Sequence, residues 1–374
     1  MSDPRKRRRK TKHVRPPAAA ATPWWAWMWP LAAWVVWAAA LVSGAGSLVA
    51  AVAGTVLILA VFAAVYHAEV VAHRLGEPFG TLVLAVAVTV IEVALIVTVM
   101  IATPEGRAGL ARDTVFAAVM IVCNGVVGGC LLWGGARHGE QGFQLQGASA
   151  ALAVLAALTV LTLMVPNVLI SAPGPRFSDS QLVFAGMVSL VLYGAFVFVQ
   201  TVRHRDYFLP LDGDESTHAP PPSNRIAAVS ACLLIAALVA IVGLAKAVTP
   251  TVEHAVVTLG LPEGVVGIVI AALVLLPESL AALRAARANR LQTSLNLALG
   301  SALASIGLTI PAVAAVSIAL DRPLVLGLDA KEQSLLALTL LVGVITLGTG
   351  RTTLLQGIVH LAIFAAFVFF ALVP

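Results

Sequence analysis

The sequence predicts an all-α membrane protein of about eleven transmembrane helices, built as two inverted five-helix repeats plus an extra N-terminal helix. Of its 374 residues, 60% are hydrophobic and only 11% are charged, whereas soluble domains carry roughly 25% charged residues. The apolar residues form long continuous stretches, without the alternation of polar and apolar residues that barrel strands show. One polar linker separates five of these stretches from five others, which predicts the repeat.

Each apolar stretch is predicted to be a helix that crosses the membrane. Its length is near the ~20 residues that span the hydrocarbon core, and in lipid a helix satisfies its own backbone groups. The boundary between the last two stretches is the least marked, because little more than Thr349–Arg351 separates them. The stretches run over 24–42, 46–66, 80–102, 114–134, 148–170, 181–202, 226–248, 264–284, 294–318, 332–349 and 352–373.

Positive charge predicts the orientation of the chain. Residues 1–22 form a basic tail with eight Lys and Arg, followed by the extra helix at 23–43. With the tail in the cytoplasm, cytoplasmic segments hold 17 Lys and Arg and external loops hold five. Such a bias predicts a cytoplasmic N-terminus. We interpret the tail first as this topology signal and second as a contact with anionic lipid; beside a membrane span, a nucleic-acid partner is not expected.

A charged, then Pro-rich segment at 203–225 is predicted to be a cytoplasmic linker. It divides the chain into a first five-helix repeat at 44–202 and a second at 226–374. An odd number of spans in each repeat forces the second copy into the opposite orientation. This inverted arrangement is the architecture of many transporters.

Each repeat carries one carboxylate inside its second span. Glu92 lies near the middle of GTLVLAVAVTVIEVALIVTVM, and Glu278 lies past the middle of VVGIVIAALVLLPESLAALR. A charged carboxylate in hydrocarbon costs at least ~2.5–3.5 kcal/mol on insertion scales, so two at corresponding places indicate a functional site. Ca²⁺ takes several oxygen ligands, and two nearby carboxylates without an ion take up protons. The pair therefore predicts a site where a cation and protons compete. The alternative is that each Glu only hydrogen-bonds a neighbouring helix.

The helices that follow the two glutamates offer further ligands. We predict Asn124 as a ligand, then Ser301, then Ser305, which shares a helix face with Ser301. Pro277 favours a functional role, because a proline inside a helix frees a backbone carbonyl that a cation can use.

Polar residues also follow the cytoplasmic end of the second span. Glu69 and His73 lie one helical turn apart and are placed to pair. Together with His67 and Glu77, they indicate either an access path for protons or ions, with a pH-sensitive histidine, or merely a wet interface. His360, in the last span, is interpreted as a buried histidine whose ring is hydrogen-bonded.

Two stretches closely resemble the bacterial ChaA-type calcium/proton antiporters of the cation/Ca²⁺ exchanger superfamily. They are GEPFGTLVLAVAVTVIEVALIVTVM and PESLAALRAARANRLQTSLNLALGSALASIGLTIP, and the preceding HAEVVAHR is similar too. The resemblance implies two inverted five-helix repeats, with one acidic residue in each, Glu92 and Glu278, binding the transported ion. Where the superfamily often has the Asn of a G-N-x-x-E pattern, this chain has Thr89 and Leu275.

We therefore expect a secondary antiporter of the bacterial inner membrane that exchanges cytoplasmic Ca²⁺, and alternatively Na⁺ or K⁺, for external protons. Its partners would be Ca²⁺, protons and the lipid bilayer, with no resident cofactor and an open oligomeric state. No GxxxxGK[ST] loop for ATP is present. The alternatives are a cation channel, which needs a continuous selectivity filter, and an intramembrane enzyme, for which GxSxG and a metal-binding His pair are missing.

Overall fold

The structure, a computed structural model, describes residues 22–43, 47–76, 79–102, 108–210, 221–262 and 264–373. Within these ranges eleven long helices follow one another, one for each predicted span, which confirms the predicted class of an all-α polytopic membrane protein. The basic tail, Glu77 and the middle of the linker lie outside the described residues. The helices are α1 (Trp24–Ser43), α2 (Ser47–Leu75), α3 (Phe79–Ala102), α4 (Leu110–His138), α5 (Leu145–Val168), α6 (Asp179–Arg203), α7 (Asn224–Thr258), α8 (Gly264–Arg287), α9 (Leu291–Ala319), α10 (Ala330–Leu347) and α11 (Leu354–Leu372).

Three helices depart from regular α-helical hydrogen bonding over part of their length. Each contains a short π-helical stretch: Ile121–Val126 in α4, Val160–Met164 in α5 and Val199–Arg203 at the end of α6. In α5 the π-helical stretch is followed by a 3₁₀ turn, Val165–Val168. Such single π turns inside α-helices occur frequently at functional sites, and the one in α4 contains Asn124.

Two helices run further than the sequence predicted. α2 continues to Leu75 instead of ending near residue 66, and α7 continues to Thr258 instead of residue 248. Both extensions are polar, and polar residues end an apolar stretch without ending a helix, since the backbone hydrogen bonds continue. His67, Glu69 and His73 therefore lie within α2 and not in the loop after it.

The second helices of the two halves run in opposite directions. Gly267 near the start of α8 lies against the backbone of Asp113 and Thr114 near the start of α4, and Leu283 lies against Gly129 towards their other ends. α8 is therefore parallel to α4. Because α3 crosses the membrane in one direction and α4 returns, α8 is antiparallel to α3, as an inverted repeat requires.

Each half packs its third helix against the fifth helix of the other half. α4 meets α11, where Gly128 lies against His360, and α9 meets α6, where Gly307 lies against Tyr193. Glycine allows such close approach in membranes. α4 and α9 supply much of the buried interior, so they form the centre of the bundle.

The extra helix α1 packs outside this arrangement, on α2 and α7. The indole Nε1 of Trp34 donates to the carbonyl of Ala236 at 3.0 Å, and Nε2 of the buried His67 lies 2.8 Å from the carbonyl oxygen of Ala26. α1 is thus attached from one side, away from the centre.

Two short strands join turns at one end of the bundle. β1 (Gln141–Gly142), between α4 and α5, pairs antiparallel with β2 (Arg351–Thr352), between α10 and α11. The brief separation between the last two predicted spans is therefore a tight turn that contains β2 and lies against the first half of the chain.

Candidate functional site

Glu92 lies in the middle of α3 and is buried, with only 2% of its surface exposed. The hydroxyl of Ser305 on α9 lies 2.7 Å from Oε1 and 2.8 Å from Oε2, so it donates to the carboxyl group. Thr309, one helical turn further along α9, also approaches this carboxyl group. The glutamate of the first half is thus enclosed by hydroxyl groups of the second half.

Several buried oxygen atoms near the two glutamates have no partner. Among the described residues, Thr89 Oγ1 and Glu278 Oε2 are buried and make no hydrogen bond, and Thr309 Oγ1 approaches Glu92 without the geometry of a hydrogen bond. Buried polar atoms are nearly always paired, and each unpaired one costs about 1–3 kcal/mol. Oxygen atoms in this state are suited to bind a hard cation such as Ca²⁺, which takes six to eight oxygen ligands in general.

Glu278 occupies the matching place on α8, just past its middle. With α3 and α8 antiparallel and both centred on the bilayer, a rise of about 1.5 Å per residue places the two glutamates within about 6 Å of the same depth. No hydrogen bond joins them in the part of the chain that the structure describes. Pro277 lies inside α8, and because it lacks an N–H, the carbonyl of Leu273 has no helical donor.

Asn124 lies in the π turn of α4 and is fully buried. Its amide Nδ2 donates to Thr339 Oγ1 on α10 at 2.9 Å, and its Oδ1 lies 3.1 Å from His360 Nδ1 on α11. Nε2 of His360 lies 3.2 Å from the hydroxyl of Thr346. The carboxamide oxygen can only accept, so a neutral His360 carries its hydrogen on Nδ1. His360 is hydrogen-bonded and buried, as the sequence indicated, and it orients Asn124 toward α10 and α11.

The two predicted serines differ in their contacts. Ser305 reaches Glu92, whereas Ser301, one turn earlier, is half-buried and makes no side-chain hydrogen bond with any described residue. Both serines lie on one face of α9, so the helix pattern could not choose between them. The choice depends on the depth at which α9 packs against α3.

Glu69 and His73 do not form the pair that their spacing in the sequence suggested. Both side chains are exposed on the last turns of α2, and no ion pair or hydrogen bond between these two described residues forms. Glu69 lies within electrostatic range of Glu278.

Sequence reasoning did not find Thr309 or the partners of Asn124. Thr309 follows Ser305 by four residues, so helical periodicity could have found it. No local signal links Asn124 to Thr339, because the two are 215 residues apart in the chain.

A cavity of about 450 Å³ opens where α4, α8 and α10 begin. Arg112 lies at its wall, where its Nε donates to Asp113 Oδ1 at 2.7 Å and its Nη1 donates to the carbonyl of Gly327 at 3.2 Å. Charged groups make this end of the bundle accessible to water and ions. The charged residues in the wall are Arg112, Asp113, Asp329, Lys331 and Glu332.

Known proteins are similar to the chain over most of its length. The y4hA protein of Sinorhizobium fredii (strain NBRC 101917 / NGR234) is 52% identical over 364 residues, which is 95% of this chain and 98% of that protein. The sodium-potassium/proton antiporter ChaA of Escherichia coli (strain K12) is 36% identical over 310 residues, 82% of this chain and 84% of ChaA. The solved structure of native YfkE shares the fold with a TM-score of 0.72 at 17% identity, covering 93% of this chain and 100% of YfkE.

The pattern of the family described as sodium/calcium exchanger protein matches residues 45–202 and 229–373. This match and the identity to ChaA confirm the resemblance found in the sequence. They also exclude the intramembrane enzyme, because the relatives are transporters and exchangers. The chain therefore belongs to the sodium/calcium exchanger protein family and is a multi-pass membrane transporter that exchanges cations.

Proposed function

We propose that the chain is a secondary antiporter that exchanges cytoplasmic Ca²⁺ for external protons, with Na⁺ or K⁺ as alternative substrates. Two relatives support these substrates: ChaA is a sodium-potassium/proton antiporter, and a structure of YfkE, with a TM-score of 0.69, is that of a Ca²⁺/H⁺ antiporter. The bacterial inner membrane, with the N-terminus in the cytoplasm, is part of the proposal.

One observation carries this proposal: two carboxylates lie near the middles of antiparallel helices, and the buried oxygen atoms Thr89 Oγ1 and Glu278 Oε2 have no partner. Two ionised glutamates neutralise one divalent cation. When the ion leaves, a low-dielectric site cannot keep two charges, so the carboxylates take up protons. Cation and protons therefore displace one another from the same oxygen atoms, and this competition couples the two fluxes.

The proposed ligand set is Glu92 and Glu278 with the hydroxyls of Ser305, Thr309 and Thr89. The carbonyl of Leu273, freed by Pro277, adds a neutral oxygen on α8. Asn124 and Ser301 stay predictions. The Oδ1 atom of Asn124 keeps one lone pair beyond its bond to His360, and Ser301 lies one turn toward the cytoplasmic end of α9.

Glu69 extends the site toward the cytoplasm. It is exposed at the end of α2 and lies within electrostatic range of Glu278. We infer that Glu69 attracts cations to the cytoplasmic side of Glu278, while the charged cavity at the opposite end serves ions on the external side. Movement of the halves against each other would then expose the glutamates alternately.

The test is proton-driven ⁴⁵Ca²⁺ uptake into everted membrane vesicles, repeated with Na⁺ and K⁺. We expect uptake by the wild-type protein that an uncoupler abolishes, and background uptake by Glu92→Gln and Glu278→Gln, because the amide neither ionises nor takes up and releases a proton. Glu140→Gln is the matched control, since Glu140 is an exposed residue in the turn after α4 and should leave uptake unchanged.

Each other outcome changes a defined part of the proposal. Exchange of Na⁺ or K⁺ without Ca²⁺, lost in the same variants, would keep the mechanism and replace the substrate. Cation flux that continues without a proton gradient would favour the channel. Full activity of either Gln variant would remove that glutamate from the site.

A further inference from the structure

An apolar cavity of about 470 Å³ lies between α2, α7 and α8. Each helix contributes one face, because the lining residues recur at helical spacings of three and four. Small residues leave the space open: Gly54 on α2, Ala245 on α7 and Ala272 on α8. The cavity is separate from the charged cavity near Arg112 and shares no lining residue with it.

The side chains that line this cavity favour a hydrocarbon ligand. Among the described residues of the wall, Thr249 is the only polar side chain, and its hydroxyl already donates to the carbonyl of Ala245 at 2.8 Å. A buried water needs two to four polar partners, and a charged ligand needs an opposite charge. Neither is offered here, so a molecule that fills the cavity must be apolar.

The position of the cavity identifies the source of that hydrocarbon. Its rim is formed by Ile58, Val269 and Leu276, which are 40%, 52% and 38% exposed. Ile58 belongs to α2, and Val269 and Leu276 belong to α8; both helices are long and apolar enough to span the membrane, so the opening faces the interior of the bilayer. Its volume lies in the ~300–1,000 Å³ range typical of sites for small ligands. We propose that this cavity is a binding site for one acyl chain of a membrane lipid.

The bound chain would contact α8 at the point where its hydrogen-bond ladder is interrupted. Leu273 and Leu276 line the cavity, and they immediately precede Pro277 and Glu278. The carbonyl that Pro277 leaves without a donor belongs to Leu273. An acyl chain therefore supports α8 beside its glutamate and excludes water from that side. This consequence rests on the proposed function of Glu278, whereas lipid binding itself does not.

The test uses purified protein in nanodiscs that contain a phosphatidylethanolamine with a photoactivatable diazirine midway along one acyl chain. After irradiation, peptide mass spectrometry maps the adducts. We expect adducts concentrated on the peptides of α2, α7 and α8 that line the cavity. Gly54→Leu should lower them at least fivefold, because a side chain placed there meets open space and fills the cavity. Gly194→Leu is the matched control, since Gly194 also has open space but lies on α6.

Ala272→Leu provides a second filled cavity in case Gly54→Leu does not fold, and it should lower the adducts similarly. Adducts spread evenly over all lipid-facing helices and unchanged by both variants would overturn the proposal. An absence of adducts at the cavity in nanodiscs that hold two copies of the protein would also overturn it, in favour of a dimer contact. Because the readout is covalent capture, failure of Ca²⁺/H⁺ exchange in the vesicle assay would leave this test unaffected.

Discussion

At the scale of single residues, Ser305 joins the two halves of the candidate site. Its hydroxyl on α9 donates to the carboxyl group of Glu92 on α3, across 213 positions of the chain. A hydrogen bond donated to a carboxylate favours its ionised form, and the ionised form binds a cation. Under the proposed function, Ser305 therefore biases Glu92 toward the ion and against the proton.

Replacing Ser305 by Ala should make protons compete better at Glu92. A hydrogen bond to a charged group contributes about 1.5–3 kcal/mol, and about 1.4 kcal/mol corresponds to one pH unit. We expect the pH of half-maximal ⁴⁵Ca²⁺ uptake to rise by about one unit in Ser305→Ala. Ser294→Ala is the control: it makes the same chemical change on the same helix, and the Ser294 hydroxyl has no hydrogen bond to Glu92, so its pH profile should match the wild type. Equal profiles for both variants would show that Ser305 does not influence the site.

At the scale of elements, α8 combines a proline with a buried carboxylate. Pro277 interrupts the hydrogen-bond ladder at Leu273, immediately before Glu278. An interrupted ladder lets a helix bend at a defined point. Under the proposed function, Pro277 therefore makes α8 both a source of one more oxygen ligand and a helix that can bend during transport.

Pro277→Ala should restore the missing hydrogen bond and stiffen α8. A proline inside a helix costs roughly 3 kcal/mol relative to alanine, so we expect a higher melting temperature in detergent together with a slower maximal rate of exchange. Pro311→Ala in α9 makes the same chemical change in another helix and should raise the melting temperature with little effect on the rate. A Pro277→Ala protein that is stabilised and transports at the wild-type rate would contradict this role.

The contact between α4 and α11 depends on glycine. A methyl group on Gly357 would lie 2.8 Å from Leu132 Cα and 2.9 Å from the carbonyl oxygen of Gly128, closer than such atoms approach. The same contact places His360 beside Asn124. The two helices can therefore hold Asn124 in place only while their backbones stay in contact.

Gly357→Ala should separate α4 from α11 and destabilise the protein. Overpacking of this kind costs about 1–3 kcal/mol, so we expect a melting temperature several degrees lower and less folded protein in the membrane. Gly194→Ala adds the same methyl group where nothing lies within 4 Å, and it should be neutral or stabilising. Equal melting temperatures for the two variants would mean that α4 and α11 can move apart without a loss in the free energy of unfolding.

At the scale of the whole molecule, the two halves pack together through two equivalent helix–helix contacts. The third helix of each half packs on the fifth helix of the other, and the helices that carry Glu92 and Glu278 are antiparallel. Small movements of one half would therefore change access to both glutamates together. This arrangement requires a fixed orientation in the membrane, because proton and cation gradients have a direction.

The proposed orientation predicts which turns face each side. In a protein with Cys232 replaced by Ala, so that only the buried Cys123 and Cys130 remain, we expect Asp321→Cys to react with a membrane-impermeant maleimide on intact cells. Glu140→Cys should react only after the cells are opened. The reverse pattern would show that the N-terminus is external.

The sequence by itself determined the class, the eleven long helices and the family, and it identified the two glutamates as candidates. These properties follow from local chemistry: hydrocarbon tolerates few charges, a helix of fixed rise needs a fixed length to cross it, and a buried carboxylate is costly wherever it occurs. Only the tertiary structure decided that Ser305 rather than Ser301 contacts Glu92, that Asn124 is held by His360 and Thr339, and that Glu69 does not pair with His73. These outcomes depend on the depth and rotation of helices that are far apart in the chain. Packing between small residues sets the depth and the rotation of each helix. Periodicity within a single helix cannot predict either of them.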